Sequence, residues 1–310
     1  MPKTPLIGAH MSISGGVFNA PLYGKEVGCS TIQIFTKNNN QWKARELSAQ
    51  EMESFFDNQK RTGLSPLVGH SGYLINLASP KEDVYKMSLD SMLTELERAE
   101  LLRLPYLVMH PGSHLGSGEK EGINKIIDSL DWLHQKTRGY GAKILLETTA
   151  GQGTSIGYRF EHLAQIIDGV KESQRLGGCY DTCHAFAAGY DSRTERSYHA
   201  TFKGFGELIG LPRLMVIHTN DSMKSLGSRV DRHQHIGEGR IGLGAFRLLM
   251  NDERWEDVPK ILETPKEEGN EKDIQNLNTL RSLMKGPSAG RRRKPTLSRT
   301  SSTLSRGSDR

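Results

Sequence analysis

Eight short apolar segments recur along the 310-residue chain, and each ends in a polar residue. Their composition favours β-strands, and the stretches between them, such as Leu89–Leu102 and Ile123–Leu133, repeat apolar residues at the spacing of a helix. The terminal polar residues follow one another at intervals of 26 to 45 residues. A strand–helix unit repeated eight times predicts an α/β fold, a (β/α)8 TIM barrel, with a doubly wound parallel sheet as the alternative. The segments are PLIGAH, TIQIFT, SPLVGH, PYLVMH, AKILLE, GGCYD, LMVIH and PKILE.

The residues that end these segments predict a metal site. Continuous apolar strands are buried on both faces, so their terminal residues emerge at the carboxyl end of the barrel, where active sites of this fold lie. Any one of them, taken alone, is more often a turn or capping residue. Together, crowded carboxylates would repel one another, whereas imidazoles interleaved with carboxylates suit divalent transition metals, above all zinc. The terminal residues are His10, Thr36, His70, His110, Glu147, Asp181, His218 and Glu263.

Two loops add further metal-ligand side chains. His184 follows Asp181 by three residues, in the loop beyond the sixth segment. Asp231 and His233 lie in RVDRHQHIGEGRIG, a glycine-rich stretch after the seventh segment. Alone, that stretch would be interpreted as an exposed polar loop. Beside the other candidates, we expect it to bend at its glycines and fold back over the barrel mouth.

The net charge of +5 is carried by the last 25 residues, which contain seven basic residues and one acidic residue. This predicts two regions, a barrel domain over 1–285 with a net charge of −1 and a basic tail over 286–310. The tail is rich in Ser, Thr and Arg, so we expect it to be disordered. It is either a solvated extension or an arm that binds nucleic-acid phosphates in a salt-dependent manner.

The remaining features of the sequence favour a cytoplasmic protein. No stretch approaches the roughly 18 apolar residues of a membrane span, and MPKTPLIGAH lacks the apolar core of a secretory signal. The chain has three cysteines and no CxxC pair, which fits a reducing compartment.

Seven motifs, in order along the chain, resemble those of the endonuclease IV family of zinc-dependent apurinic/apyrimidinic endonucleases: HSGYLINL, HPGSH, LETTAGQG, YDTCHAFAAGYD, HTNDS, GSRVDRHQHIGEG and LETP. The resemblance extends from about Leu6 to Met284. It implies three zinc ions per chain, in which one residue bridges two ions. The implied ligand sets are His70, His110 and Glu147; then Glu147, Asp181, His218 and Glu263; then His184, Asp231 and His233.

The resemblance also implies the reaction. A member of this family would act, as a monomer, on duplex DNA that contains abasic or 3′-blocked sites. It would hydrolyse the phosphodiester 5′ to the abasic site, leave a 3′-hydroxyl and a 5′-deoxyribose phosphate, and clear blocked 3′ ends. The attacking group would be a zinc-held hydroxide oriented by the bridging Glu147.

Six residues are predicted DNA contacts. Tyr73 and Leu74 would enter the minor groove, although YLINL is also consistent with the start of a helix packed on the barrel. In FTKNNNQW, Asn40 stands where the family commonly has an arginine. Arginines near the third ligand set are plausible phosphate contacts, but exposed arginines are ordinarily solvated. The full set is Tyr73, Leu74, Asn40, Gln41, Arg229 and Arg232.

Two other classes of protein are alternatives. A sugar isomerase or epimerase on the same barrel would use one or two ions held mainly by carboxylates, with a basic residue for proton transfer. A non-enzymatic DNA-binding protein would not need ions with vacant positions. Five histidine ligands and the Asp-x-His loop argue against the first alternative, and the number of zinc ions per chain would discriminate.

Overall fold

The structure, a computed structural model, describes residues 5–285 and confirms the TIM barrel. Eight parallel strands form a closed barrel in which the last strand pairs with the first. The predicted tail over 286–310 lies outside the described residues. In chain order the strands are β1 (Ile7–Met11), β2 (Thr31–Phe35), β3 (Leu67–His70), β4 (Tyr106–Met109), β5 (Lys143–Glu147), β6 (Leu176–Asp181), β7 (Leu214–His218) and β8 (Lys260–Leu262).

The strand register brings the carboxyl ends of neighbouring strands level with one another. His10 of β1 pairs with Gln33 of β2, and Asp181 of β6 pairs with His218 of β7. His70, the last residue of β3, lies opposite Phe35, the last residue of β2. The polar residues predicted from the eight segments therefore collect at one mouth of the barrel.

An apolar layer fills the barrel interior beneath this mouth. It consists of one fully buried side chain from each of the strands β3 to β8, and each member lies two residues before a predicted metal ligand. Successive side chains of a strand alternate between its faces, so residues two apart share the interior face. The layer is therefore a dry floor for the polar site above it. Its members are Val68, Val108, Leu145, Cys179, Val216 and Ile261.

Helices surround the strands, and a second, larger apolar core lies between the barrel and the surrounding helices. The helical segments expected from the sequence fall mostly within α3 and α4. No helix of residues 5–285 is long and apolar enough to cross a membrane. The helices are α1 (Ala20–Glu26), α2 (Ala49–Thr62), α3 (Glu82–Leu101), α4 (Glu119–Lys136), α5 (Phe160–Gly169), α6 (Thr182–Ala188), α7 (Glu195–Leu208), α8 (Leu243–Met250) and α9 (Glu271–Leu283).

Candidate metal centre

Glu147 lies at the centre of the barrel mouth and is fully buried. Its Oε2 lies 3.1 Å from Nε2 of His70 and 3.2 Å from Nε2 of His110. Its Oε1 lies 2.9 Å from Nδ1 of His218 and 3.1 Å from Nδ1 of His184. The two oxygens of one carboxylate thus face different groups of imidazoles, the arrangement that a ligand shared by two ions requires.

A second group of donor atoms surrounds His218. Its Nδ1 lies 3.1 Å from Oε2 of Glu263 and 3.8 Å from Oδ2 of Asp181, in addition to its contact with Glu147. These four side chains offer donor atoms within 4.8 Å of one another. Three of them are fully buried, so their charges are shielded little by solvent.

The third group joins α6 to the loop after β7; His184 lies in the first turn of α6, so its predicted position in a loop is wrong. His184 Nε2 lies 3.1 Å from Oδ2 of Asp231 and 3.2 Å from Nε2 of His233. His233 Nε2 also lies 3.4 Å from Oδ1 of Asp231. This group is the most open of the three, because the Asp231 side chain is 40 % exposed.

The distances within the three groups fit zinc. A tetrahedral zinc ion with bonds of about 2.0–2.2 Å holds neighbouring ligand atoms about 3.3–3.6 Å apart. The separations given above, 2.9 to 3.8 Å, bracket that spacing, and all ligand atoms within a group lie within 4.8 Å of one another. The contact between Nε2 of His184 and Nε2 of His233 is informative, because two neutral nitrogens that both present lone pairs repel unless a cation lies between them.

Backbone carbonyls orient three of the imidazoles. Nδ1 of His70 lies 2.7 Å from its neighbouring carbonyl at Ser71, so it can donate there and leave Nε2 free as a ligand. His184 and His233 do the same, with Nδ1 2.9 Å from the carbonyl oxygens of Thr148 and Glu263 respectively. Each ring is therefore held in the tautomer that a metal ligand needs.

Gln33, which the sequence analysis did not single out, orients the fourth imidazole. Its Oε1 accepts from Nε2 of His218 at 2.8 Å, which leaves Nδ1 for a metal. Its Nε2 donates to Oε1 of Glu263 at 2.6 Å and contacts Nδ1 of His10 at 3.0 Å. A glutamine within an apolar strand was the only signal in the sequence.

Asn220, also missed, connects two of the carboxylates. Its Nδ2 donates to Oδ2 of Asp181 at 2.7 Å, and its Oδ1 accepts from the backbone N–H of Glu263 at 2.7 Å. Asp181 also accepts from the N–H of His184 at 2.7 Å, so it caps α6 while remaining in the second group.

The electrostatics of the site call for positive charge. Burial would raise the pKa of Glu147, but the surrounding histidines, His218 and His110 foremost, hold this pKa well below its usual range. Burial would lower the pKa of His184, but the carboxylates of Asp181 and Asp231 reverse this and raise it well above normal. The Glu147 carboxylate is thus ionised and needs cations, whether imidazolium or metal, to balance it.

The buried thiols are unsuited to catalysis. Burial raises the pKa of Cys179 and of Cys183 to about 12, so neither is ionised near neutral pH. This agrees with the expectation that the attacking group is a zinc-held hydroxide and not a cysteine thiolate.

Asp221 holds the loop that carries Asp231 and His233. A two-stranded antiparallel ribbon pairs Asp221 and Ser222 with Gln234 and His233. The buried carboxylate of Asp221 accepts from the N–H groups of Gly237 at 3.0 Å and Ile241 at 2.9 Å, among others. A Cβ on Gly239 would lie 2.3 Å from Oδ1 of Asp221, so only glycine permits this approach. The loop folds over the barrel mouth, as predicted.

The predicted DNA contacts lie around the same mouth. Tyr73 is 63 % exposed, with its ring 5.3 Å from that of Phe35, and Leu74 is half-buried beside it. Both lie in a turn, so the alternative in which YLINL begins a helix is wrong; α3 begins at Glu82. Asn40 and Gln41 are exposed on the loop between β2 and α2.

The two arginines differ in their surroundings. Arg229 has a left-handed backbone, with φ 54°, and its guanidinium lies 4.2 Å from the centre of the Tyr158 ring. Arg232 is exposed, and its Nη1 donates to the carbonyl of Asp231 at 2.6 Å. Both are exposed and lie within two residues of Asp231.

Fold and site together define a TIM-barrel protein with a candidate metal centre of nine side chains at the carboxyl ends of its strands. The family model described as "Xylose isomerase-like TIM barrel" matches residues 23–283. The chain is also 52 % identical over 281 residues to "Probable endonuclease 4" of Chloroflexus aggregans, an alignment that covers 91 % of this chain and 98 % of that protein. "Probable endonuclease 4" of Geobacter sulfurreducens is 49 % identical over 289 residues, or 93 % and 98 % of the two chains.

Among solved structures, endonuclease IV from Thermus thermophilus superposes with a TM-score of 0.79 at 36 % identity, over 90 % of this chain and 98 % of that one. The chain belongs to the endonuclease IV family and is therefore a nuclease, a class of hydrolase. A D-tagatose 3-epimerase-like protein shares the fold at 22 % identity, with a TM-score of 0.68, over 89 % of this chain and 96 % of that one.

Proposed function

We propose that this chain is a DNA-repair enzyme that hydrolyses the phosphodiester 5′ to abasic sites in duplex DNA. It leaves a 3′-hydroxyl and a 5′-deoxyribose phosphate, and it clears blocked 3′ ends. The observation that supports this most is the convergence of nine acid and imidazole side chains into three sets, each with ligand atoms within 4.8 Å of one another, which would hold three zinc ions. Membership of the endonuclease IV family supports the choice of DNA as substrate.

The side chains of the candidate centre would hold the ions and set the net charge of the barrel mouth. Bound zinc would supply positive charge at the phosphate and would lower the pKa of a water molecule to about 7. Glu147 spans the first two sets and fixes their spacing. With four carboxylates against three divalent ions, the mouth would carry a net charge of about +2, which would attract a phosphodiester and favour its more highly charged transition state.

The exposure of the three sets indicates the direction from which substrate approaches. Glu147 and His218 are fully buried, whereas Asp231 and His110 are 40 % and 38 % exposed. The DNA backbone would therefore meet the first and third sets, and the second set would lie deeper. Arg232, which is exposed beside Asp231, would contact a neighbouring phosphate.

Removal of metal tests the proposed function directly. Protein stripped by a chelator is expected to lose nicking of a duplex with one abasic site, and added zinc should restore it, because the histidine and carboxylate sets cannot supply an electrophile themselves. Products are resolved on a denaturing gel, and an undamaged duplex of the same sequence is the control. Failure of zinc to restore cleavage at the abasic site would overturn the proposal.

Tyr73 and Leu74 are proposed to enter the duplex at the abasic site. Replacing both with Ala is expected to raise KM for abasic duplex about tenfold or more, since an apolar wedge compensates for unstacking. Because Tyr73 is largely exposed, the midpoint of thermal unfolding should move by only a few degrees. Leu115, also exposed, provides the control variant Leu115→Ala. A large loss of stability with an unchanged KM would show a packing role instead.

A further inference from the structure

Glu95 of α3 is a buried carboxylate that contacts two loops at once. Its side chain is 1 % exposed, and that of its partner Lys37 is 3 % exposed. The Lys37 ammonium lies 3.4 Å from Oε1 of Glu95. A buried charge pair of this kind is costly to form unless further hydrogen bonds satisfy both groups, so its surroundings indicate what it holds in place.

The first loop connects β2 to α2 and carries Asn40 and Gln41. The Thr36 hydroxyl donates to Oε2 of Glu95, and the Lys37 ammonium donates to the carbonyl of Gln41. Glu95 and its partner Lys37 thereby fix both the start of the loop and Gln41, a predicted DNA contact.

Arg98, one turn further along α3, supports the same loop. Its Nε donates to the carbonyl of Thr36 at 2.7 Å, and its Nη1 donates to the carbonyl of Arg45 at 2.8 Å. Glu95 and Arg98, one turn apart on α3, thus hold the loop between β2 and α2 at its beginning and near its end.

The second loop connects β3 to α3 and carries Tyr73 and Leu74. The backbone N–H of Gly72 donates to Oε1 of Glu95 at 3.0 Å. The two loops also touch, because a Cβ built on Gly72 would lie 3.1 Å from the carbonyl oxygen of Asn39. The carboxylate therefore lies at the junction of the two loops.

We infer that Glu95 is a positioning residue that fixes the Asn40–Gln41 loop and the Tyr73–Leu74 loop as one rigid DNA-recognition unit. The inference rests on the proposed function for its consequence, and on the hydrogen bonds alone for its structural part. One buried charge holds both loops before substrate arrives, so less conformational freedom is lost when an abasic duplex binds. Glu95 acts on recognition through these loops and does not touch the reacting phosphate.

The test uses Glu95→Gln, with Glu100→Gln as the matched control. Glu100 lies five residues further along the same helix and accepts from the N–H groups of Gly141 and Ala142 in a different loop. In zinc-loaded Glu95→Gln, KM for an abasic duplex is expected to rise about tenfold while kcat changes less than about threefold. Hydrolysis of bis(p-nitrophenyl) phosphate, which has no duplex for the two loops to recognise, should stay within about twofold.

Hydrogen exchange of the proteins without DNA tests the structural part of the inference separately from activity. Glu95→Gln should accelerate amide exchange in both 36–45 and 71–75, whereas Glu100→Gln should affect only the segment near 141–142. Acceleration in one loop alone, or an unchanged KM for abasic duplex with full nicking activity, would overturn the inference. Absence of nicking by zinc-loaded wild type would instead refute the proposed function and leave the exchange result standing.

A second variant tests the same inference in case Glu95→Gln does not fold. Lys37→Met keeps the apolar stem of the side chain but removes the bond to Gln41 and the counter-charge of Glu95. It is expected to raise KM for the abasic duplex in the same direction and to accelerate exchange in both loops. A merely structural role would lower kcat on both substrates along with thermal stability.

Discussion

Glu147→Gln is expected to lower abasic-site nicking by about a thousandfold or more, the largest effect of any single substitution in the chain. The amide has nearly the shape of the carboxylate but no charge, and it presents only one acceptor oxygen. The native oxygens each face two imidazoles, at 2.9 to 3.2 Å. One neutral oxygen cannot satisfy both sides, so the two sets that share Glu147 should lose metal together.

Two measurements separate this effect from unfolding. Single-turnover nicking gives the rate, and elemental analysis should show fewer than three zinc ions per purified chain. Glu100→Gln, outside the site, is the control and should behave as wild type in both measurements. A Glu147→Gln rate within tenfold of wild type, with full zinc content, would show that the bridging role is wrong.

Removal of the third set should cost about a hundredfold or more in nicking while the first two sets persist. In Asp231→Ala/His233→Ala, only His184 of that set remains, so zinc content is expected to fall from three ions to two. These residues lie on a loop outside the barrel strands, and Asp231 is 40 % exposed, so thermal stability should change little.

Glu238→Gln, on the same loop and 47 % exposed, provides the control for altering this loop's charge. The same zinc analysis tests the class of enzyme. Wild-type protein with one or two ions per chain would fit a sugar isomerase better than a trinuclear nuclease. Full zinc content in the double variant would mean that the third set does not hold an ion.

The fold could be predicted because the sequence of each barrel strand shows the same local pattern. A strand buried on both faces must be apolar throughout its length, and it must end where the backbone reaches solvent, so each segment marks its own carboxyl end. Six of the nine ligand candidates followed from the same pattern, whereas His184, Asp231 and His233 came from two loop motifs. Val68 and His70, or Val216 and His218, are two residues apart and share a face, so the apolar layer and the polar layer are set by one alternation.

The partners of the ligands could not be predicted, because they depend on packing between distant segments. Gln33 contacts His218 across 185 positions of sequence, and nothing local in TIQIF indicates that contact. Glu95 lies in LDSMLTELERAELL, where a glutamate is ordinarily a solvated helix charge. Only the tertiary structure shows that it is buried beside Lys37. Arg229 likewise gave no sign that its guanidinium would lie over an aromatic ring.

The Asp221 carboxylate holds one part of the loop after β7 in place and leaves another part exposed. Its hydrogen bonds and the ribbon fix the segment around His233, whereas Met223, Lys224 and Ser225, just after the ribbon's first strand, are exposed. Substitutions in that short exposed stretch are therefore expected to leave Asp231 and His233 in place. The exposed rim can vary in sequence while the candidate metal centre beneath it keeps its geometry.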